Sequence, residues 1–218
     1  MLEIGVIGCL MDSKRRRTEK RLSQPERRKR TQDRLLRAAV ELLIERGYSN
    51  LTLDLVSKRA GVSRGAQTNY FPTKRDLLLA TMRQVVTDGM PKPLPRLPKR
   101  PAATDVLDAF IAESRRFFLG PRYTAMIELH VGGRHDPSLA DELVRLQRKF
   151  RQAMDDTWLT LFAAAGVSRK MAKDIVEMTD NFFRGVALLA CIQIVTPDKR
   201  AIAPWEATLR EKLVKPGR

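Results

Sequence analysis

Residues 52 to 71, Thr-Leu-Asp-Leu-Val-Ser-Lys-Arg-Ala-Gly-Val-Ser-Arg-Gly-Ala-Gln-Thr-Asn-Tyr-Phe, constrain local structure more than any other stretch. Ala60-Gly61-Val62-Ser63 sets a turn glycine and a capping serine between two short segments, which predicts two helices hinged at a tight turn. Thr52 caps the first, with Leu55, Val56 and Ala60 inward; Ser63 caps the second, and Pro72 ends it. The second segment is too polar for a core helix. A short helix with a polar outer face, flanked by arginine and lysine, suits a nucleic-acid groove.

The flanking sequence is helical too. Ser23-Gln24-Pro25-Glu26 has the form of a capping box and starts a helix near Gln24 that runs to Arg46. Its apolar stripe is Leu35, Ala38, Ala39, Leu42 and Leu43, and Gly47 stops it. Thr73 caps a fourth helix, from Lys74 to about Gly89, that buries Leu77, Leu78, Thr81 and Val85. Five prolines between Met90 and Pro101 then forbid helix and predict a stiff extended spacer, a docking site for a proline-binding module being the sharper alternative.

Further helices are predicted from Thr104 to Leu119, Arg122 to Val131, Ser138 to Ala165, Ser168 to about Val195, and Pro204 to Leu213. No strand pattern competes, so the fold class is all-α: an amino-terminal three-helix helix-turn-helix domain plus connecting helix, followed by a helical bundle. The divisions are 1–30, a basic and partly disordered arm; 31–90, the DNA-binding domain; 91–101, the linker; and 102–218, the bundle. Met11 is a candidate true start, with residues 1–10 a leader.

Charge points the same way. The 218 residues hold 41 Lys and Arg against 25 Asp and Glu, a formal +16, which favours a polyanionic partner. The runs at Lys14–Arg17 and Arg27–Arg30 form a self-repelling basic arm, either a solvated tail or a minor-groove insert. Two cysteines without a CxxC spacing fit a reducing, cytoplasmic compartment, and two histidines without paired cysteines argue against a zinc site. No apolar run reaches the roughly 18 residues of a membrane helix.

The candidate DNA-contacting set is Thr52, Ser63, Arg64, Ala66, Gln67, Thr68, Asn69, Tyr70 and Lys74, with Arg64, Gln67, Thr68 and Asn69 expected to face outward. Gln67 is the candidate base reader, because an amide pairs bidentately with adenine; Arg64 reads guanine or holds a phosphate, and Thr68 touches a thymine methyl. Lys58, Arg59 and Lys74 are the surrounding basic groups.

These residues resemble the amino-terminal domain of the tetracycline-repressor (TetR) family of bacterial transcription regulators. The likeness rests on Ala38-Ala39 with Leu42-Leu43, Glu45-Arg46-Gly47-Tyr48, Thr52, Ala60-Gly61-Val62-Ser63, Gly65, Phe71, Lys74 and Leu77, and covers residues 31 to 90. It implies phosphate contacts at Thr52, Ser63, Tyr70 and Lys74. The chain departs from the family's Gly-x-x-Tyr-x-His-Phe pattern, with Thr68 in place of the tyrosine and Tyr70 in place of the histidine. Tyr70 or Thr68 is left to make the missing contact.

Symmetric readout of a long site calls for a dimer. The resemblance implies a homodimer through the last two long helices, residues 168–195 and 204–213, where apolar character extends over two faces. It also implies a small-molecule effector among the middle helices, with candidate lining residues Phe117, Phe118, Tyr123, Met126, His130, Trp158, Phe162 and Phe182. Glu128 and His130 fall on different sides of a helix and make no acid–base pair, and His135-Asp136-Pro137 reads as turn chemistry. The expected function is a ligand-responsive repressor of a palindromic operator. The alternative is a DNA-binding architectural protein without effector. No metal, cofactor or catalytic residue is assigned, and an enzyme is not expected.

Overall fold

The computed structural model describes residues 23–89, 98–194 and 199–214. Among these the chain is all-α, with nine helices and no strand. The expected leader, the arm up to residue 22 and most of the proline-rich stretch lie outside the described residues.

Helix α1 (Gln24–Asn50) starts on the expected capping box: Ser23 Oγ accepts from the Glu26 amide, and Glu26 accepts from the Ser23 amide at 2.7 Å. Arg27 to Arg30 sit on this helix, exposed. Gly47 breaks the helix with φ 74°, a left-handed value that favours glycine. Leu35, Leu36, Ala38, Ala39, Leu42 and Leu43 are buried. α2 (Leu53–Ala60) and α3 (Arg64–Tyr70) follow, capped by Thr52 and Ser63 as their spacing predicts. α4 (Lys74–Gly89) begins at a reciprocal cap between Thr73 and Asp76 and buries Leu77, Leu78, Thr81 and Val85.

The remaining helices are α5 (Ala103–Phe118), α6 (Pro121–Gly133), α7 (Pro137–Ala164), α8 (Arg169–Cys191) and α9 (Lys199–Val214). Several ends differ from expectation. Thr104 lies inside α5, whose first turn closes instead when Asp105 accepts from the Ala102 amide. α6 runs through both Gly132 and Gly133. Asp136 caps α7 by accepting from the Leu139 amide at 3.1 Å, as turn chemistry predicts. α8 ends at Cys191, and Gln193 follows at φ 59°. α9 begins at Lys199 and carries Pro204 in its second turn; the proline does not start it.

One contiguous set of buried apolar side chains runs from α1 to α9. α1 and α4 pack on α6, and α4 also packs on α7, so the amino-terminal helices share their core boundary with the bundle.

Candidate nucleic-acid interface and ligand cavity

The turn between α2 and α3 is held from α1. Gly61 adopts φ 60° and ψ 42°, and the Arg34 guanidinium donates to the carbonyls of Ala60 and Gly61. Those carbonyls end α2 and have no helical partner of their own. The backbone angle requires glycine here, and a Cβ on Gly61 would come within 2.8 Å of the same guanidinium and displace it. The sequence signal for Arg34 is its place one turn before Ala38 on the α2-facing side of α1.

Arg59 and Lys74, expected to serve phosphates, are engaged within the protein. Arg59 forks onto Glu45 at 2.6 and 2.9 Å and reaches Glu41 at 3.2 Å, tying α2 to α1. Lys74 is half-buried, donates to the Tyr48 carbonyl at 3.1 Å and lies 4.7 Å above the Tyr48 ring. Burial lowers its pKa. Lys58 stays exposed.

Gln67 does not face outward. It is 1% exposed, and its Nε2 donates to the Phe71 carbonyl at 2.6 Å. The cause is helical spacing: Phe71 fills the core, and four residues back along the helix falls on the same face. Pro72 follows immediately, so the chain turns and the side chain supplies the donor that the Phe71 carbonyl accepts. With Phe71 as the inward anchor, the four-residue spacing alone places Gln67 inside. The residues left on the outer face are Arg64, Gly65, Thr68 and Asn69, with Ala66 and Tyr70 half-buried. Gly65 has open space where a Cβ would stand. Thr52 and Ser63 are exposed, each with its side-chain oxygen used as a helix cap.

Inside the bundle, α5, α6, α7 and α8 enclose a cavity of about 50 Å³. Of the predicted lining residues, Phe117, Phe118, Tyr123, Met126 and Trp158 do line it, joined by Phe110. Phe118 meets the Tyr123 ring edge-on at 4.8 Å, and Phe110 and Trp158 lie 5.0 Å apart. Three predicted residues do not line it. Phe162 is fully buried against Phe110, Phe182 stacks on Trp205 at 4.6 Å, and His130 sits elsewhere on α6 with a buried Nε2 that finds no partner. Burial lowers the His130 pKa.

The other wall is charged, which periodicity of apolar residues alone does not reveal. Arg184 donates to Asp180 at 3.0 Å; Arg151 lies 3.7 Å from Asp180 and 3.4 Å from Asp155. Burial pushes the Asp180 carboxyl up to about 6, against the opposing pull of Arg184 and Arg151, and pushes the Tyr123 phenol up to about 12.

α6 links cavity and reading head. Tyr123 and Met126 border the cavity. One turn on, Glu128 accepts from the Tyr48 amide at 3.0 Å, and Gly132 lies so close beneath Tyr48 that a Cβ there would fall 2.1 Å from the ring. Arg75 of α4 adds a bond to the Ser138 carbonyl and a 3.3 Å ion pair with Glu142 of α7.

Residues 35–81 match the family described as bacterial regulatory proteins, tetR family. The chain is 36% identical over 169 residues to the HTH-type transcriptional regulator CymR of Pseudomonas putida, across 78% of this chain and 83% of that one. It is 29% identical over 167 residues to the uncharacterized HTH-type regulator Mb2936c of Mycobacterium bovis, across 77% and 86%. Among solved structures, a transcriptional regulator from Rhodococcus sp. Rha1 superposes with a TM-score of 0.64 at 19% identity, covering 84% of this chain and 94% of that one.

Proposed function

The chain belongs to the TetR family of bacterial regulatory proteins and is a DNA-binding transcriptional regulator, and we propose that it works as a homodimeric, ligand-responsive repressor of a palindromic operator. In this reading the outer face of α3 enters the major groove. Arg64, Thr68 and Asn69 address base edges, Gly65 lets the backbone approach closely, and Thr52, Ser63 and Tyr70 meet phosphates. Gln67 supports the helix from beneath.

The observation that carries ligand control is α6, which borders the cavity at Tyr123 and Met126 and bonds the reading head at Tyr48. The cavity is small: about 50 Å³, against the roughly 300 Å³ or more of a drug-sized site. A ligand therefore favours a wider arrangement of α5 to α8, and that preference is what shifts α6 and the head attached to it. A purely architectural role gives the charged, aromatic cavity no task.

Dimerisation is supported by the apolar residues that α8 and its end leave in solvent: Met178, Leu188, Leu189, Ile192 and Ile194. They adjoin Phe182 and Trp205, which bring α9 to the same side. Ile175, Phe183 and Ala187 turn inward and take no part in the seam.

The test is selection of binding sites from random duplex DNA, followed by sedimentation of the complex. A palindrome bound by an even number of chains is the expected result. A site without symmetry, bound by one chain, rejects the dimeric reading.

A further inference from the structure

The charged wall of the cavity is able to change its charge in one direction only. A guanidinium is a fixed cation in proteins. Arg151 and Arg184 converge on Asp180, which also interacts with Asp155 from α7 and Tyr123 from α6, while Glu113 from α5 lines the same cavity. Glu113 is itself held by Arg116 at 3.0 Å. Asp180 is the group least comfortable as an ion, since burial raises its pKa to about 6. The Nε of Arg184 is buried and has no hydrogen-bond partner.

An incoming anion therefore meets a half-buried guanidinium whose Nε–H is out of water and has no acceptor. If Asp180 takes a proton as the anion enters, the summed charge of wall and anion equals that of the empty wall. A cation has no such route, because neither arginine can be neutralised to make room for it. Facing the charges, the rings of Phe117, Phe118 and Trp158 offer edges and faces to a flat apolar body.

We propose that the cavity takes a small aromatic monocarboxylate, its ring among Phe117, Phe118 and Trp158, its carboxylate on Arg184, with one proton passing from solvent to the Asp180 carboxylate on binding. The inference rests on the reading of this cavity as the effector site. A single ring needs a cavity on the order of 150 Å³, so the half-buried Phe150 and Met154 at the rim must give way.

The test uses the full chain and three probes that share one ring: benzoate, benzamide and benzylamine. Calorimetric titration at pH 7.5 in two buffers of different protonation enthalpy reads affinity and proton uptake together. Benzoate is expected to bind roughly tenfold or more tighter than benzamide, with benzylamine weakest and close to one proton taken up per benzoate. Its affinity should fall about tenfold per pH unit above Asp180's pKa.

Asp180→Asn should abolish the proton uptake and the pH dependence, and Arg184→Gln should erase the preference for benzoate over benzamide. Should either variant fail to fold, the ranking and proton count of the unaltered protein decide. Equal binding of the three probes, a preference for benzylamine, no binding of benzoate, or binding without proton uptake would each overturn the inference. Operator release is measured separately. Benzoate bound with proton uptake but without release overturns the effector reading alone, and release by a cationic or neutral compound while benzoate stays unbound overturns only this one.

Discussion

Glu128 accepts a hydrogen bond from the backbone amide of Tyr48 at 3.0 Å, although 80 residues separate them. The bond depends on Gly47. Its φ of 74° turns the amide toward α6, and a Cβ on it would stand 3.1 Å from the Glu128 oxygen. The carboxylate thus fixes the end of α1 to the helix that borders the cavity. Glu128→Ala leaves a half-buried amide without a partner, at a cost of about 1–3 kcal/mol. Glu128→Gln keeps an acceptor oxygen and should recover most of the loss. Urea unfolding of the two variants checks this, and an alanine variant as stable as the unaltered protein would remove the bond from the account.

Arg34 plays the matching part at the other end of the reading head. Its guanidinium satisfies the carbonyls of Ala60 and Gly61 and so sets the angle between α2 and α3. Arg34→Met should cost about 1–3 kcal/mol of stability, since charged hydrogen bonds to terminal carbonyls are lost. It should also weaken binding to all DNA sequences alike, because the helix is misplaced and no base contact is altered. Loss of affinity confined to one base position in a binding selection would instead make Arg34 a reader of DNA.

The two sides of α3 call for opposite outcomes. Asn69 is exposed, and Gln67 is buried with its amide on Phe71. Asn69→Ala should relax discrimination at one base position by about 1–3 kcal/mol. Gln67→Leu should leave the selected sequence unchanged and cost about 1 kcal/mol of stability for the lost internal bond. A changed preference in the leucine variant would return Gln67 to the reading set.

What the sequence made legible was what local rules govern. The Ser23, Thr52, Ser63 and Thr73 caps and the Gly61 turn all follow from spacing a few residues wide, as does the apolar stripe of α1. The polarity of Gln67 points outward, but the face that Phe71 defines carries it inward. The internal pairing of Arg59 and Lys74 is not legible locally, because their partners Glu45 and Tyr48 lie 14 and 26 residues away. The cavity's charged wall stayed hidden for the same reason: Arg151 and Asp155 belong to α7, Asp180 and Arg184 to α8, and only packing brings them together. Pro204 marked a helix but not its start: it stands inside α9, where it has no N–H to offer the carbonyl of Arg200.

Two glycines test whether the head and the bundle move as a unit. Gly132 lies under Tyr48, where a Cβ would fall 2.1 to 2.5 Å from three atoms of that side chain. Tyr48 is itself held by its amide on Glu128 and by Lys74 over its ring, so it has little room to retreat. Gly132→Ala should therefore push α6 away from the end of α1 and cost about 1–3 kcal/mol as an overpacked contact. Because the same helix borders the cavity, the variant should also alter operator affinity without any ligand. Gly65→Ala is the opposite case: nothing lies within 4 Å of the added carbon, and the site faces outward on α3. It should leave thermal stability unchanged or slightly raised, as alanine favours helix over glycine by up to about 1 kcal/mol, while the new methyl weakens operator binding. Thermal unfolding and operator titration of both variants separate the two roles. A Gly132→Ala protein with unaltered stability and unaltered operator affinity would show that the junction at Tyr48 transmits nothing.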